Sequence, residues 1–173
     1  MRYSLAETEQ LLAHAQQVEL SSVAAEIKYF GKQDFPKLTR SGKGKRTQFS
    51  KLNAFELLVA LKLKAIKYSS KAAADAAQFA SASLTSLPSG ERSYLCIRNV
   101  DVSVVSEEMA IDLIGTEPAI ALVNLHKLLQ ILNDAIVDLF PPDSSLQPAV
   151  NQPPDGHYES RAVEHIIRER DGD

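Results

Sequence analysis

Hydrophobic residues recur every three or four positions over much of the first half of the chain, which predicts a series of helices. Ser4 and Glu7 have the spacing of a capping box, so a first helix should begin there. After a polar turn, the run VAAEIKYF predicts a second helix, capped by Ser21 or Ser22 and ended with the help of Gly31. Two short helices this close together predict a helix-turn-helix.

A basic, glycine-containing segment, FPKLTRSGKGKRTQF, follows the second helix. Gly42 and Gly44 permit the positive φ values that a tight turn requires, and residues 37–39 and 47–49 could flank it as short strands. This pattern predicts a small hairpin, or wing, with a cationic tip. Its basic side chains would contact phosphates, although a surface loop that is basic for solubility is the alternative. Those side chains are Arg40, Lys43, Lys45 and Arg46.

Two further helices are predicted after the wing. Ser50 is placed to cap a strongly periodic helix that ends in Lys62, Lys64 and Lys67. Those lysines either complement the helix dipole or contact phosphates. The run KAAADAAQFASAS then predicts an alanine-rich helix, and LTSLPSGE predicts a linker.

The second half of the chain has a different pattern. Residues 94–97 are continuously apolar, and valines alternate with polar residues over 99–104, so both segments are predicted strands. Ser106 should cap, and Gly115 should close, a short helix with the sequence EEMAIDLI. Two alternatives stay open for the apolar segment that follows, AIALVNLHKLLQILNDAIVDLF.

In the first alternative this segment is a coiled-coil seam between two subunits, because its leucines and isoleucine are spaced alternately by three and four. In the second, AIALVNL is a strand that leads into a core-facing helix from about Leu125, and this alternative is favoured because the upstream strands need a partner. If the stripe lies between subunits, the residues that serve dimerisation are Leu125, Leu129, Leu132, Ile136 and Leu139.

These elements predict a mainly α fold with an N-terminal winged helix-turn-helix and a small α/β domain after it. The expected boundaries are 1–84 for the DNA-binding domain and 85–140 for the α/β dimerisation or regulatory domain. Residues 141–173 are polar and proline-rich, which predicts a flexible tail with a short terminal helix in SRAVEHIIRER.

Charge is distributed unevenly along the chain. Residues 28–71 hold 12 of the 19 basic residues and only two acids, so they carry 12 − 2 = +10, while the remainder carries 7 − 20 = −13. The net charge of −3 hides this division. A basic block of this kind predicts a polyanionic partner, above all nucleic acid. A solvated basic face without a partner is the alternative.

Catalytic chemistry has little support in the sequence. The four histidines are scattered, Cys96 is the only cysteine, and no nucleotide-binding loop motif is present. We therefore predict a protein that is not an enzyme and has no cofactor or metal. The chain has neither a leader pattern nor a long uncharged apolar run, which predicts a cytoplasmic protein without membrane contact.

The order of parts over residues 3–82 resembles the MerR family of bacterial winged helix-turn-helix transcription regulators. The run SSVAAEIKYFGKQDFP is similar to that family's recognition helix, GKRTQFS to the end of its wing, and LVALKLKAIKYSSKAAADAA to the helices that follow. Lys28 stands where the family usually has arginine. The resemblance implies that Lys28 and Tyr29 lie near the DNA backbone in the major groove, with Arg40 and Arg46 at flanking phosphates.

Together these observations predict a regulator that binds double-stranded DNA as a homodimer, with RNA polymerase or a small-molecule effector as a further partner. An excisionase-like architectural protein of a phage or mobile element is one alternative, and an adaptor for an acidic protein is another. The predicted DNA-binding residues are Ser21, Ser22, Lys28, Tyr29, Lys32, Lys37, Arg40, Lys43, Lys45 and Arg46.

Overall fold

Six helices and two small antiparallel sheets make up the described part of the chain in a computed structural model. The described residues are 1–38, 47–84, 92–98, 101–116 and 120–141. The helices are α1 (Leu5–Gln16), α2 (Leu20–Lys32), α3 (Lys51–Ala65), α4 (Ser70–Leu84), α5 (Glu107–Thr116) and α6 (Leu125–Leu139). The strands are β1 (Arg2–Tyr3), β2 (Phe49–Ser50), β3 (Ser93–Arg98), β4 (Asp101–Ser106) and β5 (Ile120–Asn124). The fold is therefore mainly helical with a small sheet component.

Local capping begins two of these helices as predicted. The Ser4 amide donates to Glu7 Oε2 at 2.6 Å while the Glu7 amide donates to Ser4 Oγ, and this capping box begins α1. Ser50 and Asn53 make the same reciprocal pair at the start of α3. Each box satisfies backbone amides that the first turn leaves without a helical partner.

Two predicted helix boundaries are wrong. The N-cap of α2 is Glu19, whose side chain makes no capping bond, so Ser21 and Ser22 lie within the first turn instead of preceding it. Val23, Ile27 and Phe30 recur at helical spacing and are buried. Their packing stabilises α2, so the helix does not need a serine cap at its start. The second error is at α5, which continues through Gly115 to Thr116.

A central helix organises the helical part of the molecule. All eight residues from Ala54 to Leu61 on α3 are buried, because α1, α4, α6 and β2 surround this helix. Buried side chains of α6 and β3 join the same core as those of α1 to α4. The predicted boundary near residue 84 therefore does not coincide with a break in the core, and Met1–Phe140 forms one compact unit.

The three-stranded sheet has the order β4-β3-β5, and both of its pairings are antiparallel. Strand residues alternate between two faces. Leu95 and Ile97 face the helical core, whereas Cys96 packs on the other face with Ala110 and Leu113 of α5. The sheet thus lies between the helical core and α5.

No helix among the described residues is long and apolar enough to cross a bilayer.

Strand β5 runs directly into α6, as the second alternative for this segment predicted. The coiled-coil alternative is wrong at its start, because Leu122 lies in a strand paired with Cys96. Farther along, Leu125 and Leu132 are completely buried in the chain's own core. An apolar stripe with helical spacing therefore serves the interior of this chain.

Candidate nucleic-acid interface

Helices α1 and α2 are joined by a turn of three residues, 17–19. Gln17 has φ 55° and ψ 44°, a left-handed conformation that ends α1 with hydrogen bonds from its amide to the last helical carbonyls. Val18 and Glu19 then lead directly into α2. Two packed helices, α1 and α2, are therefore joined by a turn of three residues.

The outer face of α2 is polar and basic. Val23, Ile27 and Phe30 recur at helical spacing and are buried, so they anchor the opposite side of the helix in the core. Five predicted DNA-binding residues consequently lie together on the exposed side of α2: Ser21, Ser22, Lys28, Tyr29 and Lys32. We name these five residues the α2 face.

Lys64, near the end of α3, contacts two side chains of α2. Its Nζ lies 3.0 Å from Glu26 Oε2, an ion-pair contact, and 5.3 Å from the centroid of the Tyr29 ring. A lysine ammonium over a tyrosine face is attracted by the ring's quadrupole. Sequence reasoning found Lys64 but not these partners, because Glu26 and Tyr29 lie 38 and 35 positions earlier in the chain.

Only the two ends of the predicted wing, 37–38 and 47–49, belong to the described residues. Arg40, Lys43, Lys45 and Arg46 lie outside the described residues, and so does Thr39. The predicted pairing of the two flanks is wrong where it can be followed. Residues 37–38 and 47–48 are not in strands, and Phe49 pairs with Tyr3 of β1 instead. The exposed Lys37 follows a buried pair, Phe35 and Pro36. The Phe35 ring packs edge-on against the Phe30 ring, with 5.3 Å between the two ring centroids.

A groove of about 670 Å³ borders the α2 face. Residues of α1, of α2 and of the segments around 34–38 and 47–49 line it, and most of them are apolar. Lys28, Glu9 and Asp34 are its charged members. Lys28 therefore borders both the groove and the exposed side of α2.

Positive charge continues beyond the α2 face. Twelve basic residues lie in 28–71, and removing the four at 40, 43, 45 and 46 leaves eight that the structure describes. Of the two acids in this stretch, Asp34 is exposed, whereas Glu56 is buried and accepts a hydrogen bond from Ser81 Oγ at 2.6 Å. The described part of this stretch therefore holds eight lysines and one exposed acid, a balance that favours an anionic partner.

The predicted dimerisation residues do not form a free surface. Leu125 and Leu132 are completely buried, while Leu129 and Ile136 are partly buried against the same core. Leu139, 38% exposed, is the member of the set that faces solvent most. The set therefore packs α6 onto α1, α3 and β3 of its own chain.

Comparison with protein-family models and with curated proteins finds no match for this chain. Within the described residues, no group of three or more His, Cys, Asp or Glu side chains could hold a metal ion.

Proposed function

We propose that this protein is a sequence-specific regulator of transcription that binds double-stranded DNA as a dimer, with α1 and α2 as a helix-turn-helix and the basic segment 37–46 as its flank. The observation that carries the proposal is the α2 face. A helix whose exposed side presents hydroxyl, phenol and ammonium groups, and whose other side is held in the core, has a shape that fits the major groove.

Charge supports the same proposal. Lys28 and Lys32 on the α2 face make no ion pair among the contacts described, and Lys37 is exposed nearby in sequence. Lysines available in this way can neutralise phosphates, which positions a protein on a duplex, while hydroxyl groups such as those of Ser21 and Ser22 contact base edges. The resemblance to MerR-type regulators over residues 3–82 accords with this division of roles.

The salt dependence of binding tests the proposal. Affinity for duplex fragments should fall steeply as salt rises, because each neutralised phosphate releases condensed counterion with a slope of about −0.9. Lys28→Ala removes one contact from each of two subunits, so the slope should become shallower by about 1.8. Lys127→Ala is the matched control, because Lys127 is also exposed but lies on α6.

Fluorescence anisotropy with labelled duplexes at several salt concentrations measures both slopes. If Lys28→Ala and Lys127→Ala leave the same slope as the unaltered chain, α2 is not the contact surface. If the folded chain retains no duplex even at low salt, DNA binding is excluded, and an acidic protein becomes the partner to seek for the basic block.

A further inference from the structure

The three-stranded sheet has two edges of different chemistry. Along the β4 edge, Asp101, Ser103 and Ser106 are exposed, and a charged or polar edge resists pairing with another strand. Strand β5 has the sequence IALVN, with no charged residue, and each of its five residues is partly exposed. Among the described residues, β3 is the strand paired with β5, so the outer backbone groups of β5 have no strand partner.

Helix α5 adds an apolar flank beside this edge. Ala110 and Leu113 are buried against the sheet, while Ile111 and Ile114 are 64% and 70% exposed. Strands β4 and β5 are parallel to each other, since both are antiparallel to β3, and connections between parallel strands of one sheet are nearly always right-handed. A helix rotates by about 100° per residue. For a right-handed connection, Ile111 and Ile114 therefore lie on the side of α5 toward β5, and Met109 lies on the side toward β4.

The same flank is nearly free of uncompensated charge. Glu107, which the helical rotation places on the β5 side, accepts a hydrogen bond from Arg92 Nη1 at 2.9 Å. Glu108 and Asp112 fall on the outer side of α5 and its β4 side. An uncharged strand edge beside two exposed isoleucines therefore forms one surface, which we name the β5 edge.

We infer that the β5 edge is the dimer interface, where β5 of a second copy of this chain pairs antiparallel with β5 to give a continuous six-stranded sheet. A two-fold axis can only pair a strand with its own copy in the antiparallel sense, so each surface meets itself. The two α5 helices then run in opposite directions, so their acidic first turns lie at opposite ends of the contact and do not face each other. A charged foreign strand would gain no ion pair on this edge.

The interface should be disrupted without unfolding the chain, because Ile111 and Ile114 already face solvent in one copy. The variant Ile111→Lys with Ile114→Lys would place four ammonium groups in the apolar contact of the dimer. Since burying unpaired charge is costly, the dimer dissociation constant should rise at least about a hundredfold. Met109→Lys is the matched control, because Met109 is 54% exposed on the other flank of the same helix.

Sedimentation of the full chain without DNA measures the outcome over a wide range of concentration, with circular dichroism to verify the fold. We expect a dimer for the unaltered chain and for Met109→Lys, and a folded monomer for the double variant. Amide exchange should also show protection at β5 that the double variant loses. An unaltered chain that sediments as a monomer, or a double variant that stays dimeric, overturns the inference. The inference rests on the dimer in the proposed function, and because no DNA is present these results test the subunit contact alone, while the salt titration tests DNA contact by the α2 face.

Discussion

Helix α6 offers the sharpest test of the structure, because its apolar stripe fits both a subunit seam and a core. Leu132 is completely buried, and α6 packs against α1 and α3, where Leu11 and Leu12 are also fully buried. Leu132→Ala would therefore leave a cavity inside the buried core. Substitutions of this kind cost about 2 to 5 kcal/mol. Since the surroundings are fully buried, we expect a loss of about 3 to 4 kcal/mol in the free energy of unfolding.

Urea-induced unfolding followed by circular dichroism measures this loss, with the same dependence on denaturant expected for both proteins. Val137→Ala is the control, since Val137 is 58% exposed on the same helix and should change stability by less than about 0.5 kcal/mol. Sedimentation of Leu132→Ala should show the oligomeric state of the unaltered chain. A loss below about 1 kcal/mol, or a dimer that dissociates while the fold keeps its stability, would refute the placement of α6 in the core.

Two other contacts give measurable predictions. Ser81→Ala leaves the buried Glu56 carboxylate without the bond between α3 and α4, so urea unfolding should show a loss of about 1 to 3 kcal/mol, whereas the partly exposed Ser83 can be replaced by alanine with little effect. Hydrogen bonds from the Ser4 amide and then its hydroxyl lower the pKa of Glu7. The stability that this shift contributes is present above the ordinary pKa and lost as the pH falls through the lowered one. Glu7→Gln should therefore remove part of the acid dependence of the urea midpoint, and an unchanged dependence would contradict the assignment.

Elements with strong local signals were predictable from the sequence. The capping box at Ser4 and the helix cap at Ser50 each rest on residues three positions apart or closer, which is information that the chain carries locally. The alternation of valines in β4 is equally local.

Features that depend on distant partners were not predictable in the same way. Phe49 pairs with Tyr3, and no feature of the segment around Phe49 identifies a partner at the start of the chain. Periodicity showed that α6 has an apolar side but could not say whether the surface opposite belongs to the same chain. The ion pair of Lys64 with Glu26 was likewise not predictable, because it forms only when α2 and α3 pack together.

The two proposals bear on each other through the shared core. Helix α2, α6 and strand β3 contribute side chains to one continuous apolar cluster, and α6 follows β5 without an intervening loop. A dimer joined at the β5 edge would thus carry its two α2 faces as parts of compact units, not on flexible linkers. Paired recognition helices must be about 34 Å apart, or a multiple of this, to enter successive turns of the major groove on one side of a duplex. The interface that joins the subunits would then also determine the half-site spacing that the protein accepts.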